Sequence, residues 1–233
     1  MHPVSHVIFD FDGLLVDTEN AYTMANRELL APFGVEFTME LKRKQMGMKH
    51  DEAIGWLLDE VGIADKITVD EFGRRYDEIL FEHFRRSEAM PGAKRLVTNL
   101  VANGVPVALC TGSCSRTFPV KAENHRSWID LIAIQVLSGD DPKVKRGKPH
   151  PDPFLETASR FSEAPKSPLN VLVFEDSYNG VLSALNAGMQ CVMVPDRSIF
   201  DPDSDPEFAK RVTQILPSLE DFQPELFGLP PIL

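Results

Sequence analysis

Five short runs of apolar residues recur along the chain, and each is rich in branched side chains. None of them alternates apolar with polar positions, which is typical of strands buried on both faces of a sheet. The sequence therefore predicts strands at Val4 to Phe9, Val105 to Cys110, Ile132 to Leu137, Val171 to Phe174 and Cys191 to Val194.

Between these runs, apolar residues follow the spacing of a helix. One stripe comprises Ala93, Leu96, Val97, Leu100 and Val101, and a shorter one comprises Val181, Leu182 and Leu185. Strands that alternate with helices predict an α/β fold whose parallel sheet is doubly wound, as in Rossmann-like domains.

The segment 17–89 departs from this alternation, because it contains helical patterns and no convincing strand. Its two clearest stripes are Ile54, Leu57, Leu58 and Val61, and Phe72, Tyr76, Ile79 and Leu80. We interpret it as a helical domain inserted after the first strand, with residues 1–16 and 90–233 forming the core domain. From Pro195 onward the chain is predicted to wrap the surface with little regular structure until the short apolar pieces Ile215-Leu216 and Leu226-Phe227.

Composition and charge narrow the possible partners. The chain has 233 residues and a formal net charge of -11, from 24 Lys plus Arg and 35 Asp plus Glu. This charge argues against binding to nucleic acid polymers or to anionic membranes, but a locally basic site could still take a small anionic substrate. Since the first apolar run leaves no room for a signal peptide and no stretch could span a bilayer, we expect a cytoplasmic protein, and we expect it to be monomeric.

The residues that directly follow the apolar runs carry the candidate chemistry. Ligands of open parallel sheets bind beyond the carboxyl ends of the strands. There the sequence places Asp10-Phe11-Asp12-Gly13, Thr111-Gly112-Ser113 and Glu175-Asp176-Ser177, with Lys148 in a nearby loop.

This edge would gather the carboxylates of Asp10, Asp12, Glu175 and Asp176. Each close pair of like charges costs about 4 kcal/mol at an effective dielectric constant near 20, so the cluster requires a cation. Hard oxygen ligands without His or Cys favour Mg²⁺. The side chains of Thr111, Ser113 and Lys148, with backbone N–H groups around Gly112, suit a phosphate group.

This set of residues predicts phosphoryl transfer. Asp10 can attack phosphorus to form an aspartyl-phosphate, and Asp12 can protonate the leaving alcohol and later activate water. Taken alone, each motif is more often a turn, a helix cap or a solvated loop. Their common position at one edge of the sheet favours catalysis.

In order and spacing, the four motifs resemble the signature motifs of the haloacid dehalogenase superfamily, and the inserted helices look like its C1 cap. The resemblance implies that Asp10 is the nucleophile, Asp12 the acid/base, and Thr111 and Lys148 phosphate-binding residues. It further implies Mg²⁺ held by Asp10, Asp12 through its carbonyl group, Glu175 and Asp176.

A narrower resemblance, to the pseudouridine-5'-phosphatases, rests on the segments 90–93, 139–142, 147–149, 173–176, 187–190, 192–196 and 221–230. It implies a nucleotide-like phosphomonoester such as pseudouridine 5'-phosphate, with sugar phosphates as the next candidates. The inserted helices resemble that group less, and the resemblance implies that they select the substrate.

Candidate substrate contacts outside the four motifs are Tyr22 and Lys49, although packing and solvation are their ordinary roles. Lys121 and His125 share a helix face that could approach the phosphate, but we do not count them among the site residues. A phosphosugar mutase similar to beta-phosphoglucomutase is the main alternative, yet such mutases commonly have a histidine where this chain has Tyr22. A non-catalytic scaffold and a dehalogenase are disfavoured, because the catalytic side chains and a metal site are both present.

Overall fold

A parallel sheet organises the larger part of the chain. The computed structural model describes residues 2–45, 48 and 50–232. Within them the sheet has the order β3-β2-β1-β4-β5-β6. The strands are β1 His6–Phe9, β2 Val107–Thr111, β3 Ile134–Leu137, β4 Val171–Glu175, β5 Gln190–Met193 and β6 Gln214–Ile215.

Helices cover both faces of this sheet and also form a separate unit. Those from the first connection are α1 Thr18–Leu30, α2 Met39–Gln45, α3 His50–Glu60 and α4 Val69–Arg86. Those between and after the later strands are α5 Ala93–Ala102, α6 Phe118–Lys121, α7 Arg126–Ile129, α8 Asp152–Ser159, α9 Tyr178–Asn186 and α10 Pro206–Ala209. The predicted doubly wound α/β architecture is confirmed.

Two compact units divide the chain, one comprising Met1–Asp17 with Glu88–Leu233 and the other Thr18–Ser87. In the first unit, successive residues of each central strand point to opposite faces of the sheet. Phe9 therefore belongs to one buried cluster, together with its neighbour Phe174 in β4, and Ile8 belongs to the other, together with Val173. Because both faces are covered, successive residues in the middle of the central strands are apolar.

The sheet differs from the sequence-based prediction at its two edges. The predicted burial on both faces is wrong for β3, where only Val136 is fully covered, because β3 is an edge strand. At the other edge, the tail contributes the short strand β6, which pairs with β5. The tail then packs on the core, where the Phe222 ring lies edge-on against Phe174 with the ring centroids 4.8 Å apart.

The unit Thr18–Ser87 has a hydrophobic core of its own. It is formed by residues of α1, α3, α4 and their connections, and its fully buried members include Leu30, Leu57 and Phe72. The side chain of Thr68 caps α4 by accepting a hydrogen bond from the Glu71 amide. Within the described part of the chain, no helix has the length and apolar character that crossing a membrane requires.

Candidate active site

The first turn of the site follows the central strand β1. The Asp10 amide still donates to the Phe174 carbonyl at 3.0 Å, so the strand pairing fixes the backbone from which the Asp10 side chain extends. The chain then turns at Gly13, whose φ of 78° is readily adopted only by glycine, and the Gly13 amide donates to the Val16 carbonyl. This turn presents Asp10 and Asp12 beyond the carboxyl end of the sheet.

Lys148 joins two of the predicted carboxylates. Its Nζ lies 2.5 Å from Asp10 Oδ1 and 2.6 Å from Glu175 Oε1, and it also donates to the Cys110 carbonyl. The ammonium group is further placed over the Phe154 ring, 5.0 Å from its centroid. These contacts hold one positive charge between the ends of β1, β2 and β4.

Glu175 ends β4 and is fully buried. Its Oε2 accepts hydrogen bonds from the Asp176 and Ser177 amides and from the Ser177 hydroxyl. Ser177 is in turn the N-cap of α9 and accepts a hydrogen bond from the Gly180 amide. Glu175 thus links Lys148 to the first turn of α9 and fixes the backbone of Asp176.

Asp12 has a different set of partners. Its Oδ2 accepts hydrogen bonds from the hydroxyl groups of Thr111 and Ser113, each at 2.8 Å. Its Oδ1 lies 2.5 Å from Nζ of Lys121, which is the last residue of α6. Asp140 holds the neighbouring loop, because its carboxylate accepts hydrogen bonds from the Ser115 amide and hydroxyl.

These environments shift the pKa values of Asp10 and Asp12 in opposite directions. Burial raises the pKa of Asp10 to about 8; the charges of Glu175 and Asp12 add to this rise, and Lys148 opposes it. Burial also opposes ionisation of Asp12, but the charge and hydrogen bond of Lys121, together with the hydrogen bonds from Thr111 and Ser113, outweigh it and lower the pKa of Asp12. Although burial of Lys148 favours its neutral form, Asp10 and Glu175 raise its pKa well above the ordinary value.

A cation site fits among the carboxylates. Asp10, Glu175 and Asp176 each offer one oxygen, and these three oxygens lie within 4.8 Å of one another. The donor set consists of oxygen atoms, which is the chemistry that Mg²⁺ prefers. Lys148 does not fully offset burial and the neighbouring carboxylates at Asp10, whose pKa is raised to about 8, so further positive charge here would favour the ionised form.

The structure brings most of the predicted site residues together. Those at one edge of the sheet are Asp10, Asp12, Thr111, Ser113, Lys148, Glu175 and Asp176, with the exposed Gly112 between Thr111 and Ser113. Tyr22 lies in α1 of the helical unit, where its ring packs edge-on against Phe84. Lys49 lies outside the described residues.

Lys121 also belongs to this site, although it was not among the predicted site residues. The only signal in the sequence was its position on a short helix after the Thr111-Gly112-Ser113 motif. His125, which shares that signal, instead lies buried beside the Trp128 ring, with the ring centroids 5.8 Å apart.

Comparisons with known proteins identify relatives along nearly the whole chain. The model of the haloacid dehalogenase-like hydrolase family matches residues 7–194. "(DL)-glycerol-3-phosphatase 2" of Arabidopsis thaliana is 44% identical over 98% of this chain and 92% of its own length. "Probable pseudouridine-5'-phosphatase" of Drosophila melanogaster is 41% identical over 99% of this chain and 96% of its own length.

A solved structure shows the same fold. The HAD family hydrolase from Deinococcus radiodurans R1, determined with bound phosphate and sodium, aligns with a TM-score of 0.78. The alignment covers 99% of this chain and 100% of that chain at 24% sequence identity.

Proposed function

Since this chain belongs to the haloacid dehalogenase-like hydrolase family and is a phosphatase, we propose that it hydrolyses a small phosphomonoester through a phosphorylated Asp10. The observation that carries this proposal is the placement of Asp10. It is buried at the end of the central strand, 2.5 Å from the ammonium group of Lys148, with Asp12 two residues away in a separate set of hydrogen bonds.

The proposed reaction has two halves. In the first, a carboxylate oxygen of Asp10 attacks phosphorus, the bond from phosphorus to the alcohol oxygen breaks, and Asp12 donates a proton to that oxygen. In the second, Asp12 takes a proton from water, whose oxygen attacks phosphorus and restores the Asp10 carboxylate. Asp12 is ionised at rest, so it must take up a proton before the first half, whereas it can serve as base directly.

Lys148, Thr111 and Ser113 would bind the phosphate oxygens, together with the backbone of Gly112. Mg²⁺ would be held by the carboxylates of Asp10, Glu175 and Asp176 and by the carbonyl group of Asp12. When bound, it would supply positive charge that offsets the charge of the phosphate and of the carboxylates. Four carboxylates face two lysines, Lys121 and Lys148, so a divalent cation would bring these charges into balance.

For the substrate, we propose a nucleotide-like monoester, with pseudouridine 5'-phosphate first. A relative that is 41% identical and named for that activity supports this choice. Glycerol 3-phosphate is the second candidate, because a relative with 44% identity is named for that activity. Tyr22 and Lys49, as residues of the segment that differs most from the pseudouridine-5'-phosphatases, are our candidates for distinguishing these substrates.

Phosphate release from a panel of monophosphates tests the proposal. The panel should contain pseudouridine and uridine 5'-phosphates, both enantiomers of glycerol 3-phosphate, and hexose phosphates, each with Mg²⁺ and with EDTA. We expect release that EDTA abolishes and added Mg²⁺ restores. We expect Asp10→Asn to reduce turnover by at least about a thousandfold, because the amide is a far weaker nucleophile than the carboxylate.

Acid quenching during turnover should trap one phosphoryl group on the peptide that contains Asp10, as seen by mass spectrometry. Asp130→Asn, a surface carboxylate paired with Arg126, is the matched control and should leave turnover unchanged. Release that survives Asp10→Asn would exclude Asp10 as nucleophile. An isomeric sugar phosphate accumulating without free phosphate would favour the mutase alternative.

A further inference from the structure

Lys121 is a buried charge that the proposed reaction leaves without a role. Its side chain is 4% exposed, although a lysine ammonium group normally stays in water. It belongs to the four-residue helix α6, whereas Lys148 comes from the loop before α8. The site therefore receives two positive charges from two different elements.

Lys121, Asp12 and Ser113 form a closed ring of contacts. The ammonium group donates to Asp12 Oδ1 at 2.5 Å and to Ser113 Oγ at 2.9 Å. The Ser113 hydroxyl donates in turn to the other oxygen of Asp12. Both oxygens of Asp12 are thereby held, and rotation of its carboxylate would break at least one of these bonds.

The two lysines contact different carboxylates of the site. Lys148 contacts Asp10 and Glu175, the carboxylates beside the cation site, whereas Lys121 contacts Asp12. An acid/base group must be aimed at the leaving oxygen and at the attacking water, and small misplacements reduce rates strongly. The Asp12 side chain is 22% exposed, and without Lys121 its Oδ1 would lose a charged partner that fixes its direction.

We propose that Lys121 is a positioning residue, which acts through Asp12 by fixing the direction of its carboxylate. The inference rests on the proposed function, in which Asp12 is the acid/base. A residue that acts only through Asp12 has no effect once Asp12 can no longer transfer protons. The effect of removing Lys121 should therefore depend on the residue at position 12.

A double-mutant cycle with Lys121→Met and Asp12→Asn tests this dependence. We expect Lys121→Met to lower kcat by roughly tenfold to a hundredfold with KM changed by less than about threefold, because methionine fills the space without holding Asp12. In the Asp12→Asn background, we expect the same change at position 121 to alter the residual turnover by less than about twofold. Lys121→Arg, which keeps a donor and the charge, should retain more activity than Lys121→Met.

Two controls keep the outcome specific. Lys210→Met removes an exposed lysine that pairs with Glu207 and should leave kcat unchanged. Thermal melting must show that each variant is folded, and Lys121→Gln replaces Lys121→Met in the same cycle if the methionine variant does not fold. If Lys121 had a purely structural role, Lys121→Met would lower kcat in both backgrounds. A decrease that disappears in the Asp12→Asn background therefore identifies a role through Asp12.

The possible failures are distinguishable. Equal loss in both backgrounds, or a loss confined to KM, would overturn the inference, because Lys121 would then act on the substrate or on the fold. Unchanged kcat in Lys121→Met would overturn it as well, while leaving the proposed function intact. Absence of phosphate release by the wild-type protein, with every monophosphate of the panel, would instead overturn the proposed function and this inference with it.

Discussion

At the scale of single residues, Asp10 and Asp12 lie two positions apart and have opposite surroundings. Burial and the nearby carboxylates raise the pKa of Asp10 to about 8, even though Lys148 contacts it. Asp12 is held by Lys121 and two hydroxyl groups, and its pKa is lowered. Pairs of acids whose environments drive their pKa values apart are typical of sites that assign them different roles.

The raised pKa of Asp10 predicts that Mg²⁺ and a proton compete for this carboxylate. Below a pH of about 8 most Asp10 carries a proton in the metal-free protein. Because the cation requires the ionised form, binding should release that proton, and the affinity for Mg²⁺ should rise with pH by up to about tenfold per unit until it levels off above pH 8. Isothermal titration calorimetry in two buffers of different ionisation enthalpy, near pH 7, measures this release.

We expect close to one proton per Mg²⁺ at neutral pH. In Asp10→Asn, any residual Mg²⁺ binding should release none, since that side chain has no proton to lose. An affinity that stays constant between pH 6 and 8 would show that Asp10 is already ionised before the metal arrives, contrary to the expectation.

The residues of the site differ in how far the sequence could predict them. Asp10, Thr111 and Glu175 lie at or directly after strand ends, so the strand pattern and the parallel order of the sheet were enough to bring them together. Lys121 lies 109 positions beyond Asp12, in a helix of four residues that has no strong periodic signal. Its contact with Asp12 depends on the path of a short irregular segment, which hydrophobic patterning does not determine.

At the scale of elements, the first turn of α9 is built around the Glu175 carboxylate. Glu175 accepts hydrogen bonds from this turn, and the space beside it is kept by Gly180, where an added Cβ would overlap the carboxyl group. The glycine is needed for this close approach rather than for its backbone conformation, since its φ is not positive.

Gly180→Ala should therefore destabilise the protein and impair catalysis. Either Glu175 or the helix must move, which costs about 1–3 kcal/mol for overpacking in a core. Displacing Glu175 would also disturb Lys148, so we expect kcat to fall together with the melting temperature. Urea unfolding and phosphate release measure the two effects.

Gly55→Ala is the matched control, because it makes the same change within another helix, α3. There the new Cβ would meet only Val69 Cγ2, at an ordinary contact distance of 3.7 Å. We expect this variant to be as stable as the wild type, or more stable by up to about 1 kcal/mol, since alanine has a higher helix propensity than glycine. If Gly180→Ala had the same stability and turnover as Gly55→Ala, the close approach of Gly180 to Glu175 would not be needed.

The elements at the edges of the sheet were harder to predict than those at its centre. The central strands β1 and β4 are covered on both faces and so consist of continuous apolar runs. The two-residue strand β6 is too short to leave a periodic pattern, and its pairing with β5 depends on how the tail packs. Apart from Gln135, the half-exposed β3 has an apolar sequence like that of the central strands, and one polar residue was too weak a signal to predict its position at the edge.

At the scale of the whole molecule, each of the two units contains its own buried core. Leu57 lies in the core formed by residues of Thr18–Ser87, and Leu172 lies in a core cluster of the sheet-containing unit. Because each of these clusters is formed by residues of one unit, we expect each unit to be able to open without the other.

Leu57→Ala and Leu172→Ala should consequently affect different amides in native-state hydrogen exchange. Leu57 and Leu172 are both fully buried, and each truncation should cost about 2–5 kcal/mol through lost burial and the cavity that remains. For Leu57→Ala we expect exchange to accelerate by roughly thirtyfold or more in α1, α3 and α4, which corresponds to about 2 kcal/mol. Exchange in β1, β2 and β4 should change little, and Leu172→Ala should give the reverse pattern. Faster exchange in both units after Leu57→Ala would mean that they unfold as one cooperative structure, in which the helical unit could not open independently of the sheet that carries Asp10.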